Sequence, residues 1–134
     1  MADTLVDDVR AEKNAGRTDA VIRDCRKLLA LSGITPHQKA FSFDCLAHAA
    51  IVRGDALSAS QYAQQALAAE PTNYLARIND LKAACMQALP AQQIAQKAAD
   101  TDSLRRQRGL SAPLKDTELR HICKNYGLTW HDGP

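Results

Sequence analysis

Gly54-Asp55-Ala56-Leu57-Ser58-Ala59, followed after a short interval by Ala66-Leu67-Ala68-Ala69-Glu70-Pro71-Thr72-Asn73, decides the fold of this chain. Gly54 can take the left-handed conformation that closes one helix, and Asp55 offers a carboxylate to cap the next. Ala59, Ala63 and Ala66 recur at helical steps along one face, so the helix they lie on can approach a neighbour closely. Pro71 ends that helix because it cannot donate the next backbone hydrogen bond. Upstream, Thr35-Pro36 opens a helix reaching about Arg53, on which Phe43, Leu46, Ala47 and Ala50 form a packing face.

Working outward, helix breakers divide the rest of the chain. Residues 3–15 form a first helix ended by Gly16, and Thr18 is placed to cap a second that reaches Leu31 before Ser32-Gly33. Thr72 is placed to cap a fifth, on which Tyr74, Ile78, Leu81, Cys85 and Ala88 keep a 3.6-residue period. Pro90 opens a sixth with Ile94 and Ala98 inward, and the polar run Asp100–Gly109 is expected to fray. A last helix, 113–126, carries Leu119, Ile122, Cys123 and Tyr126 on one stripe.

Counted from Ala40 through Asn73, the central helix–turn–helix is 34 residues long. Phe43, Leu46, Ala47, Ala50, Gly54, Ala59, Ala63, Ala66 and Pro71 fall where a tetratricopeptide repeat wants them, so the segment resembles that family close to its consensus. The resemblance is looser over 3–36 and 74–100, where Ala88-Leu89-Pro90 stands in place of a turn glycine. It implies an all-α fold: a tetratricopeptide-like superhelix of antiparallel helix pairs over residues 1–109, with 110–134 as a C-terminal capping helix and tail of the same domain.

Composition agrees with helices. Aromatic residues are 4% of the chain while hydrophobic residues are 46%, so alanine, leucine and isoleucine must fill the core. The net charge of +2 is too small to demand a polyanionic partner. No apolar run has the roughly 20 residues that span a membrane, and the acidic N-terminus is unlike a secretory signal. Cys25, Cys45, Cys85 and Cys123 lack CxxC spacing and fall in apolar helical patterns, which predicts buried free thiols in a cytoplasmic protein.

Chemistry-bearing motifs are sparse. His121 and Cys123 lie two apart on a helix and diverge around its axis, so with His131 they make a poor metal site. Cys45 and His48 are neighbours at i and i+3, yet Cys45 belongs to the packing pattern and no oxyanion site accompanies the pair. Neither an enzyme nor a cofactor or metal is expected. Leu104-Arg105-Arg106-Gln107-Arg108 is the basic cluster. Without interleaved aromatics it reads as a solvated helix end, and it carries the alternative reading, a regulator contacting nucleic acid through 105–108. Trp130 is expected to fold back as a plug on the terminal helices.

The tetratricopeptide resemblance places function on a concave face lined by the first helix of each pair. The groove positions it implies are Phe41, Asp44, His48 and Ile51, with Asn73 leading into the next helix and Arg77 on it. Steps of three, four and three keep the first four on one face, exposed toward a groove shared with helices 3–15 and 74–89. The implied role is an adaptor or chaperone-like module that holds a peptide or helix of another protein, with a second copy of the chain as another occupant.

Overall fold

Several helix ends fall where the sequence offers a capping group or a left-handed residue. The structure, a computed structural model, describes residues 1–109. The expected helix 113–126, and His121, Cys123, Trp130 and His131, lie outside the described residues. Among the described residues six α-helices follow one another: α1 (Ala2–Asn14), α2 (Thr18–Ala30), α3 (Pro36–Val52), α4 (Ala56–Ala69), α5 (Tyr74–Met86) and α6 (Ala91–Gln107). There is no strand among the described residues.

At the start of α3, Thr35 Oγ1 accepts from the Gln38 amide at 3.0 Å while Gln38 Oε1 accepts from the Thr35 amide at 3.0 Å. Two orphan donors are thus satisfied reciprocally. Asp55 caps α4 by accepting from the Ser58 amide at 3.1 Å. Two expected caps are corrected. Asn73, not Thr72, caps α5 by accepting from the Ala76 amide at 3.0 Å. Thr18 lies inside α2, whose N-cap is Arg17 with no side-chain bond.

Three helix ends close by one hydrogen-bond pattern. The amides of Arg17, Asp55 and Leu89 donate to the carbonyls of Glu12, Ala50 and Ala84 at 2.8, 2.8 and 3.2 Å. Each closure needs a left-handed residue, supplied by Gly16 at φ +73°, Gly54 at φ +76° and Ala88 at φ +52°. Ala88 stands 34 positions after Gly54, so a non-glycine residue adopts the turn conformation where the sequence offers no glycine.

Successive helices run antiparallel. Contacts join the start of α2 to the end of α3 (Asp19 with Arg53), and the start of α3 to the end of α4 (His37 with Glu70). They also join the start of α4 to the end of α5 (Ala56 with Gln87), and the loop before α5 to the end of α6 (Thr72 with Arg108). The first helices of consecutive pairs also touch, α1 on α3 and α3 on α5.

Burial repeats along the chain. The buried residues Ser42, Asp44 through Ala47 and Ala49 through Ile51 of α3 recur, 34 positions on, as buried Ala76, Ile78 through Leu81 and Ala83 through Cys85 of α5. The α5–α6 joint is one residue longer than the α3–α4 joint. Accordingly Ala59, Ala63 and Ala66 of α4 correspond to Ile94, Ala98 and Thr101 of α6, 35 positions on, all buried.

Alanine lets α3 and α4 lie close, and Phe43 stacks on Tyr62 with ring centroids 6.4 Å apart. One polar link crosses three helices: Asp80 of α5 accepts from Gln64 of α4 at 3.0 Å and from Lys97 of α6 at 2.7 Å. The expected fraying after Asp100 is corrected, since α6 continues to Gln107. Thr101, Leu104 and Arg105 extend its buried stripe, and Thr101 donates to the Lys97 carbonyl at 2.7 Å. Cys25, Cys45 and Cys85 are buried. Among the described residues no helix is long and apolar enough to cross a membrane.

Candidate functional site

Where α1, α3 and α5 come side by side, they enclose a cleft of about 420 Å³. Arg10, Lys13 and Asn14 of α1 form one wall, and Phe41 and Asp44 of α3 the floor. Asn73, Tyr74 and Leu75 form the far wall, with His37, Glu70 and Arg108 at the rim. A second hollow of about 240 Å³ shares Arg10, His37 and Phe41 with it. Phe41 therefore stands between the two. The Arg10 guanidinium lies 5.3 Å from its ring centroid, within cation–π range.

The polar part of the floor, Asp44, is covered. Asp44 is 3% exposed, and its carboxylate accepts from Asn79 Nδ2 at 2.7 Å. Burial pushes the Asp44 carboxyl above the usual aspartate range, against the pull of Lys13, the Asn79 hydrogen bond and Lys82. At the rim His37 Nδ1 lies 2.6 Å from Glu70 Oε2, and Asn73 Nδ2 donates to Glu70 Oε1 at 3.2 Å. The carboxamide oxygen of Asn73 is engaged in capping α5, so this residue shapes the entrance as well as lining it.

Of the six positions expected to line the groove, the cleft brings together Phe41, Asp44 and Asn73. His48 lies elsewhere, in a hollow of about 100 Å³ with Lys13, Val21 and Val52. Arg77 is half-buried on α5 and lines none of these three hollows. The expected exposure of Ile51 is corrected: it is 5% exposed and packs with Ala50, Ala59 and Ala83. Helical geometry gives the reason. Phe41 and His48 nearly align, as do Asp44 and Ile51, but at about 100° per residue the two sets differ by about 60°. The first set turns toward α1 and the second toward α5.

Arg10, Lys13, His37 and Tyr74 also line the cleft and were not singled out by sequence. The signal present was spacing, since Arg10 and Lys13 share a face at i and i+3, as do His37 and Phe41 at i and i+4. The basic cluster is largely engaged. Arg105 is 2% exposed and lies 2.9 Å from Asp102, and Arg106 lies 3.2 Å from the same carboxylate. Arg108 donates to the Thr72 carbonyl. Comparison with protein-family models, with curated proteins and with solved structures finds no match to this chain.

Proposed function

We propose that the chain is a tetratricopeptide-like superhelix serving as an adaptor or chaperone-like binding module. It holds a segment of a partner protein in the cleft across α1, α3 and α5. The observation that carries this reading is that cleft. An aromatic ring backed by a guanidinium sits between two hollows, and donors and acceptors are spaced along the walls. Support for the repeat class comes from the 34-residue recurrence of burial between α3 and α5 and from the closures at Gly54 and Ala88. A few anchors around an apolar centre suit an extended peptide or a short helix, whose backbone groups meet the polar walls while one side chain packs on Phe41.

Selection of a random peptide library displayed on phage, with the full chain as bait, tests the reading. Enriched peptides should bind wild type and lose more than about 1 kcal/mol against Phe41→Ala combined with Lys13→Ala, with helicity unchanged. Peptides that bind the double variant as tightly as wild type, or a selection that enriches nothing, would overturn it.

A further inference from the structure

Glu12 of α1 faces α2 with its side chain 13% exposed, and its Oε2 is a buried oxygen that meets no hydrogen-bond donor. Its neighbour across the helix contact is another acid, Asp24, with a side chain 7% exposed. The cations there favour Asp24. Arg23 donates to both Asp24 oxygens at 3.1 and 3.3 Å, and Lys27 Nζ lies 3.8 Å away. Glu12 has the far end of Arg23 at 4.0 Å. An ionised Glu12 therefore sets a second carboxylate beside Asp24 with one oxygen unsatisfied, whereas a protonated Glu12 has an O–H to donate to it.

We propose that Glu12 and Asp24 form a proton-operated latch between α1 and α2, in which a shared proton docks α1 and its loss releases the helix. Burial first, then the hydrogen bond to Asp24 and the charge of Asp24, push the Glu12 carboxyl up to about 7, with Asp8 adding to the rise and Arg23 opposing it. Arg23 first, then the hydrogen bond from Glu12, hold Asp24 below the usual aspartate range.

The direction follows from linkage. Glu12 titrates higher in the docked state than in a released helix, so its contribution to docking is complete below the ordinary glutamate range near 4.5. That contribution declines as pH rises from there and is lost above about 7. The contribution of Asp24 is present above the ordinary aspartate range and lost only as pH falls below it, so the two windows are separate.

Release of α1 has a consequence for the cleft, because Arg10, Lys13 and Asn14 ride on that helix. Its remaining anchorage is modest: Val9 is its buried residue, set among Val21, Cys25, Cys45 and Leu46. The charged and titratable groups around the latch are Asp8 on α1, Arg23, Asp24, Cys25 and Lys27 on α2, and Cys45 on α3, while His48 of α3 lines a separate hollow with Lys13 and Arg17. Imidazoles as a class titrate near neutrality, so a variant must separate His48 from Glu12.

Amide hydrogen exchange of the full chain without ligand, corrected for intrinsic chemical exchange, reads the latch directly. Protection of residues 2–14 should fall at least about tenfold between pH 5.5 and 8.5, while α4 and α5 keep theirs. Glu12→Gln should hold α1 protected across that range. Asp24→Asn, which removes the neighbouring charge, should move the midpoint of the wild-type change to lower pH. Constant α1 protection in wild type, a pH-dependent loss that persists in Glu12→Gln, or a midpoint unmoved in Asp24→Asn would each overturn the latch. If Glu12→Gln fails to fold, the Asp24→Asn midpoint decides. Because the free protein is measured, the outcome is independent of whether the cleft takes a peptide.

Discussion

The pairs α3–α4 and α5–α6 reach the same closure with different residues. In the first, Gly54 supplies the left-handed turn, three residues join the helices, and alanines face inward from α4. In the second, Ala88 supplies it, four residues make the joint, and Ile94, Ala98 and Thr101 face inward from α6. The extra residue rotates α6 by one position, which moves Gln93, the counterpart of Ala59 at a spacing of 34, out to the exposed surface. Two helix pairs can thus share closing hydrogen bonds and a burial pattern while differing in the size of their inward side chains, provided that joint length and inward face shift together.

Substitutions break this comparison in order of expected effect. Ala59 is fully buried against Ala50, Ile51 and Ala83, so Ala59→Leu should overpack the first pair and cost about 1–3 kcal/mol in denaturant unfolding. Unfolding like wild type would mean that α3 and α4 are not held at close approach. Next, Gly54→Ala should cost about 1–2 kcal/mol. A Cβ there meets nothing within 4 Å, so the loss isolates the left-handed backbone. The mirror experiment is Ala88→Gly, expected to stabilise by about 0.5–1 kcal/mol through relief of the same conformation, and a lower melting temperature would contradict it. Smallest is Gln93→Leu, on the exposed side of α6, where a change within about 0.5 kcal/mol is expected. A cost there as large as that of Ala59→Leu would show that the inward faces of the two pairs are in register after all.

The helices were legible because their punctuation is local. Thr35-Pro36, Gly54-Asp55 and Pro71 each act within a turn of where they stand, and the alanine spacing on 56–69 needs no distant information. The cap of α5 was misread by one residue because Thr72 and Asn73 both have side chains suited to capping. The length of α6 was underestimated because Thr101 and Arg105 are polar residues on its buried stripe. The cleft was half legible. Phe41, Asp44 and Asn73 follow from the pattern of residues 40–73, but Arg10 and Lys13 come from a helix far upstream, and only packing brings them opposite α5. No periodicity could separate Ile51 from Phe41, since the roughly 80° between them matters only once α1 and α5 flank α3. The Glu12–Asp24 contact is likewise set by how α1 and α2 lie together.

No described helix packs on one more than two elements away along the chain, since contacts join each helix to the next or to the one after it. This order has a kinetic consequence. Every interface forms by closing a short length of chain, so the search for native contacts is local and its entropy cost small. The described helices should form in microseconds to milliseconds, as low-contact-order helical domains do.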